Sequence, residues 1–278
     1  MSRNHLFKIG AVLLALSVAS GAFAQTPEVT IASWNVRSFE VSNGSGQNLT
    51  DDISDYITLL RNTGADIIAL NEFETATGRM GRERMSEIAS ALGMYAYYIE
   101  SYPKDVGYYG NVILSRYPIV SAASHLMPYE NVNGDGYYDH NSGTYLEQYG
   151  SDQRSVGYAD ILVPVSASES RVIRVVCSHF DHYVSPDAVR TMQAEESVEF
   201  ASLDNPSYPS IMAGDLNTTS PATVIPAIWN CGDQAAANGL DHIFTFPKGA
   251  WTVTDTETVS SGNLSDHNAV VATLTLNE

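Results

Sequence analysis

The run Val29-Thr30-Ile31-Ala32-Ser33-Trp34-Asn35, an amphipathic stretch opening at Asp51, and then Ile67-Ile68-Ala69-Leu70-Asn71-Glu72 decide the fold class. The first and last are short, largely apolar runs of strand length, the pattern of buried β-strands. Between them Ile53, Ile57 and Leu60 recur at helical spacing, and Gly64 stands where a helix would end. Strand, helix, strand is the repeating unit of an α/β protein. Each of these strands finishes on polar side chains, Asn35 in one case and Asn71-Glu72 in the other.

Outward from that unit the alternation continues. A helix near Arg82 to Leu92 closes at Gly93, and strands are expected at Tyr95 to Ile99, Val112 to Leu114, Val156 to Val165 and Val172 to Cys177. Pro186 to Leu203 reads as a helix that starts on a proline. Ile211 to Ala213, His242 to Phe246 and Ala269 to Leu276 complete the strands. Such a chain forms either two layers of sheet covered by helices or one large α/β sheet. Ala122 to Asp152, rich in Tyr, Gly, Asn and Asp, lacks a sustained period and is expected to be a long loop. Within it Asn131-Val132-Asn133-Gly134-Asp135-Gly136, with Asp139, looks like the start of a calcium loop. Ser142 occupies the place of the closing glutamate, so structural Ca²⁺ is the lesser reading beside a plain polar loop.

Chemistry gathers at strand ends. Leu264-Ser265-Asp266-His267 and Ala213-Gly214-Asp215-Leu216-Asn217 set carboxylates, an amide and an imidazole at the mouths of apolar runs. A hard divalent cation and a phosphate ester require that combination, because oxygen ligands hold the metal while imidazole moves protons. Asp215 and Asn217 alternate at a strand end and so point the same way. The pattern points to a metal-dependent phosphoesterase.

At the N-terminus Arg3 and Lys8 precede an apolar run from Ile9 to Ala19 that closes on Ser20-Gly21-Ala22-Phe23-Ala24. Basic, greasy and small-residue regions in that order read as a cleaved signal peptide over 1–24, leaving one domain over 25–278 in a secreted or periplasmic protein. Removing Arg3 and Lys8 takes the formal net charge from -18 to -20 and leaves Lys104 and Lys248 as the only lysines. A surface so acidic disfavours long polyanions and favours small or neutral phosphate esters, without excluding a nuclease. Export would permit Cys177 and Cys231 to pair, but Cys177 lies in an apolar strand and reads as a small hydrophobe, so their pairing stays open.

Seven blocks now stand in order: Ser33-Trp34-Asn35-Val36, Ala69-Leu70-Asn71-Glu72, Gly110-Asn111-Val112-Ile113-Leu114-Ser115-Arg116, Ser178-His179-Phe180-Asp181-His182, Gly214-Asp215-Leu216-Asn217, Leu240-Asp241-His242-Ile243-Phe244 and Ser265-Asp266-His267. Together they resemble the endonuclease/exonuclease/phosphatase superfamily, which includes pancreatic-type deoxyribonucleases, abasic-site endonucleases, inositol polyphosphate phosphatases and bacterial sphingomyelinases. The resemblance implies a four-layer α-β-β-α sandwich of two mixed β-sheets flanked by helices, with the site at one end. It also implies Mg²⁺, with Mn²⁺ as a substitute, on Glu72, Asn35 and Asp266. Asp215 and Asn217 would orient or deprotonate the attacking water, His267 would pair with Asp241, and His179, Arg154 and Asn111 would meet the phosphate. His182, Asp181, Arg190 and Gln193 form a further pattern resembling small secreted hydrolases of the superfamily. One departure is Asn71, where many members carry glutamine, which puts the surroundings of the metal ligand in question.

The expected activity is hydrolysis of a phosphodiester, in nucleic acid or a small organic molecule, by a chain acting as a monomer with no stable protein partner. A phosphomonoesterase and a sphingomyelinase-like lipid phosphodiesterase are the alternatives within the class. A non-enzymatic phosphate-binding module is the alternative outside it, and the presence of Glu72, Asp215 and His267 argues against that one.

Overall fold

The computed structural model describes residues 26–42, 47–50, 52–79, 81–127, 138–139, 144–145, 153–182, 187–202 and 208–277. In chain order the strands are β1 (Glu28–Asn35), β2 (Glu40–Ser42), β3 (Gln47–Leu49), β4 (Ile67–Thr75), β5 (Tyr95–Lys104), β6 (Gly107–Ser115), β7 (Ile119–Leu126) and β8 (Tyr138–Asp139). They continue as β9 (Thr144–Tyr145), β10 (Ser155–Pro164), β11 (Ser170–Ser178), β12 (Ser210–Asp215), β13 (Asp233–Asn238), β14 (Asp241–Phe246), β15 (Trp251–Val259) and β16 (Ala269–Leu276). The α-helices are α1 (Ser54–Asn62), α2 (Arg84–Leu92), α3 (Asp187–Ser202), α4 (Pro221–Val224) and α5 (Pro226–Cys231). Residues 1–24 and most of the calcium-like segment lie outside the described residues. No helix among the described residues is long and apolar enough to cross a membrane.

Two six-stranded sheets form the centre, ordered β15-β16-β1-β4-β6-β5 and β13-β14-β12-β11-β10-β7. Each is mixed: β1 with β4 and β11 with β12 run parallel, while the remaining pairs are antiparallel. The alternation of side chains along a strand divides the apolar residues into layers. Ile31, Ala69, Ile113, Val175, Cys177, Ala213 and Ile243 face the seam between the sheets. Their sequence neighbours Ala32, Trp34, Ile68, Leu70, Val112 and Leu114 face outward, against Tyr56, Leu59 and Leu60 of α1 and Ile88 of α2. On the other side Val176, Met212 and Phe244 meet Ala194 and Ala201 of α3 and Ile228 of α5. Helices, sheet, sheet, helices is the expected four-layer sandwich. Gly64 and Gly93 take the left-handed conformation that ends α1 and α2, at φ 63° and 68°.

The sheet edges depart from the sequence expectation. Residues 122–126 are not loop but part of β7, paired to β10. β15 and β13 were not anticipated either. All three are edge strands whose faces are largely exposed or half-buried, so their sequences carry no apolar alternation to read.

Candidate active site

The inward-facing period of the core runs on past its last apolar residue at one end of the sandwich. Ile31 leads to Asn35, Ala69 to Asn71, Ile113 back to Asn111, Cys177 to His179, Ala213 to Asp215 and Ile243 back to Asp241. Strands of opposite direction thus deliver polar side chains to the same mouth, because an antiparallel strand begins where its neighbour ends. Asp215 and Asp241 are register partners across β12 and β14, and Asn35 and Asn71 across β1 and β4.

Local backbone adjusts the aim. Leu70 pairs with Val112 and Phe73 with Gly110, so Asn71 and Glu72 together oppose Asn111 in a β-bulge. Glu72 adopts φ 52° there, a conformation that costs a non-glycine residue about 1 kcal/mol or more and clusters at functional sites. Asn217 sits at φ 49°, which asparagine tolerates better. Beside it, a Cβ on Gly214 would stand 1.9 Å from the carbonyl oxygen of Ser178.

The hub is Oδ2 of Asp215. Nδ2 of Asn35 donates to it at 3.0 Å and to Oε1 of Glu72 at the same distance, so one amide draws two carboxylates to one point. Nε2 of His179 and Nε2 of His267 approach that oxygen to 3.6 and 3.7 Å. The other oxygen of Asp215 accepts from the backbone N–H of Asn217 at 2.9 Å. The Asn217 amide donates to the carbonyl of Phe180 at 2.8 Å and lies 3.0 Å from Nε2 of His179. Nδ1 of His267 meets Oδ2 of Asp241 at 2.6 Å.

Electrostatics assigns the protons. Burial opposes the charge on His267, but the hydrogen bond to Asp241 and the charges of Asp241, Asp215 and Asp266 outweigh it and push the imidazole up to about 9. Burial raises Asp241 to about 6, so the pair is ionic at neutral pH. His179 goes the other way: burial, then the Arg154 guanidinium and the neighbouring histidines, hold it well below the ordinary value. Neutral His179 accepts from a terminal nitrogen of Arg154 through Nδ1 at 2.9 Å, which leaves its ring N–H on Nε2, 3.6 Å from Oδ2 of Asp215. The other terminal nitrogen of Arg154 lies 3.1 Å from Nδ1 of His182, so the His182 of the further pattern joins the site through Arg154. Behind it, Gln193 of that pattern accepts from the backbone N–H of Asp181 and Arg190 donates to the Asp181 carbonyl. Glu72 is raised, first by burial and against the pull of Asn35 and Arg154.

The expected metal ligands converge unequally. Glu72 and Asn35 are joined directly, with Oδ1 of Asn35 also accepting from the backbone N–H of Arg37 at 2.9 Å. Asp266 lies on the rim, its side chain 54% exposed and 3.5 Å from Nε of Arg37, tied to Asn35 through Ser265, whose hydroxyl donates to the Asn35 carbonyl. Among the described residues, the group whose ligand atoms lie within 4.8 Å of one another is instead Asp215, Asp241 and His267. A protonated imidazole has no lone pair to offer a metal, so His267 at neutral pH belongs to the ion pair. The carboxylate oxygens of Glu72 and Asp215 are hard donors with no thiolate among them, since Cys177 is unpaired and buried behind Asn71, while Asn35 turns Nδ2 to them and its own oxygen to Arg37.

Sequence reasoning missed two supporting residues. Arg37 gave no signal beyond its charge. His242, inside a recognised block but on an outward position, donates from Nε2 to the carbonyl of Thr218 at 2.7 Å and accepts from Gln234 at 2.9 Å, steadying the turn that carries Asn217.

A family model described as Endonuclease/Exonuclease/phosphatase family matches residues 32–267. No curated protein matches the chain by sequence. Among solved structures, an endonuclease/exonuclease/phosphatase from Bacteroides vulgatus is similar with a TM-score of 0.65 at 16% identity, covering 90% of this chain and 99% of that one. The mannosyl-6-phosphatase of Bacteroides thetaiotaomicron is similar at 0.60 and 16%, with 89% and 100% covered. TDP2 of D. rerio complexed with a single-strand DNA product is similar at 0.58 and 16%, with 89% and 98% covered. At such identities the likeness speaks to the fold.

Proposed function

This chain belongs to the endonuclease/exonuclease/phosphatase family, and we propose that it is an exported, divalent-metal-dependent phosphodiesterase that hydrolyses nucleic acid or small organic phosphodiesters. Members of the family hydrolyse phosphate esters. The observation that carries the reading is the Asn35 amide, which gathers Glu72 and Asp215 at 3.0 Å each while Asp215 also lies 3.7 Å from the paired imidazole of His267.

Glu72 would hold Mg²⁺, or Mn²⁺ in its place, with Asp266 from the rim and with Asn35 through Oδ1, the oxygen that meets the Arg37 N–H; the ion would supply electrostatic stabilisation of charge developing on the phosphate. Asp215, fixed by the Asn217 N–H and the Asn35 amide, orients the attacking water and takes its proton. His267, kept protonated by Asp241, presents its Nε2–H to a phosphoryl or leaving oxygen. Arg154, His179 and Asn111 bind the remaining phosphate oxygens. The formal charge of -18 favours small or neutral esters over long polyanions. Residues 1–24 direct export of the chain and are removed.

The test is hydrolysis of bis(p-nitrophenyl) phosphate, p-nitrophenyl phosphate and supercoiled plasmid with Mg²⁺, Mn²⁺ or EDTA, beside an Asp215→Ala control. Diester cleavage lost in EDTA and in the control is expected. Cleavage confined to the monoester would replace the reading with a phosphatase, the activity for which one structural neighbour is named. A folded chain that cleaves none of the three would overturn hydrolysis and favour a phosphate-binding module. N-terminal sequencing of the exported protein, expected to begin at Gln25, tests the targeting.

A further inference from the structure

Asn71 is fully buried and bonds across the seam between the sheets. Its Oδ1 accepts from the backbone N–H of Asp215 at 2.8 Å, and its Nδ2 donates to the carbonyl of Ser178 at 3.0 Å and to Oδ1 of Asn111 at 2.8 Å. Two of these partners leave no freedom of assignment. A backbone N–H can only donate and a backbone carbonyl can only accept, so the orientation of the Asn71 amide is fixed. That orientation fixes the next one: the Asn111 atom facing Asn71 must be its oxygen, and its Nδ2 must point elsewhere.

Asn111 is 1% exposed, and its Nδ2 is buried with no hydrogen-bond partner. A buried amide donor left unmade is costly, and native folds seldom keep one without a use. The alternative orientation of Asn111 would set its Nδ2 against Nδ2 of Asn71, two donors face to face, so the chain cannot relieve the orphan by turning the amide over. The orphan stands in the mouth that holds the catalytic groups: Asn71 bonds Ser178, next to His179, and Asp215 itself.

We propose that Asn71 is a positioning residue which locks the Asn111 amide with Nδ2 reserved as a donor to a phosphate oxygen of the substrate. The inference rests on the phosphoester reading above. One amide thus reaches Asp215 and Ser178 on the facing sheet and Asn111 on its own.

Asn71→Asp keeps the shape and the acceptor for Asp215 but replaces the donor that faces Asn111, releasing the Asn111 amide to turn over. The loss of kcat/KM on bis(p-nitrophenyl) phosphate is expected on the order of 10–100-fold. Most of that loss should vanish when Asn71→Asp is made in an Asn111→Ala background, since the group it orients is then gone. Strictly additive losses, or wild-type kcat/KM in a folded Asn71→Asp protein, would overturn the proposal. Should the variant not fold, the wild-type chain answers by NMR: inorganic phosphate, with and without Mg²⁺, is expected to shift the side-chain NH₂ resonances of Asn111. Unmoved Asn111 resonances while those of Asn217 or His179 shift would equally overturn it. The titration needs no turnover, so a chain that hydrolyses nothing but shifts Asn111 would sink the hydrolase reading and leave this one standing.

Discussion

Nδ1 of His267 lies 2.6 Å from Oδ2 of Asp241, whose register partner across β12 and β14 is Asp215. One strand pairing therefore brings together the carboxylate that meets the water and the carboxylate that charges the imidazole. The pair carries opposite charges at neutral pH, because the hydrogen bond and charge of Asp241 hold the imidazole of His267 well above its ordinary value. NMR titration of His267 is expected to give a midpoint well above 7 in the wild type, falling below 7 in Asp241→Asn. A variant midpoint still near 9 would mean that the charge on His267 comes from elsewhere.

Metal binding should discriminate among the carboxylates. Glu72→Gln keeps shape but removes the charge, and we expect Mn²⁺ affinity by calorimetry to fall by about tenfold or more. His267→Gln should leave that affinity within about threefold, because a protonated imidazole is no ligand. The reverse ranking would move the ion to the Asp215, Asp241 and His267 group.

Glu74 gives the acid sensitivity of the fold. Its carboxylate is fully buried, and although burial alone would raise it, Arg79, Lys104 and Thr77 outweigh that and lower it to about 2. A group depressed in the folded state stabilises above its unfolded value, and that stabilisation is lost as pH falls from about 4.5 through about 2. Allowing for screening at the partly exposed Arg79 and Lys104, its worth is on the order of 2 kcal/mol. Urea unfolding at pH 7 should therefore find Glu74→Gln destabilised by about that amount, and the gap should close toward pH 2. An equal gap at both pH values would show that packing, not charge, is lost.

Gly214 is required for close approach. With a Cβ placed 1.9 Å from the Ser178 carbonyl, Gly214→Ala must part β11 from β12 directly behind Asp215. A loss of about 3 kcal/mol or more is expected in thermal or urea unfolding. A variant as stable as the wild type would mean that the strands yield there at little cost.

The thiols are separate and unequal. Cys177 is buried and its thiol pushed up to about 12 by burial, while Cys231 is exposed. Ellman's reagent should label one thiol in the native protein and two after denaturation. No label in denatured, unreduced protein would reveal a disulfide.

Much of this could be read along the chain. Strand and helix periods located nearly every interior element, because a strand buried on both faces or a helix on one must be apolar at fixed spacing, as in Ala269–Leu276 and Arg84–Leu92. The ordered blocks identified the family, and with it the residues that end the strands. The edge strands Ile119–Leu126, Asp233–Asn238 and Trp251–Val259 were illegible because they bury little, and their hydrogen bonds come from a neighbour that the local sequence does not specify. What only the tertiary structure decided is the set of contacts across the seam. Residues 35, 72 and 215 meet through one amide, and 71, held by 178 and 215 of the other sheet, fixes the orientation of 111. Sequence spacing dictates which face of its own strand a side chain takes; which side chain from the opposing sheet it meets depends on how two twisted sheets pack, and that is a property of the whole core.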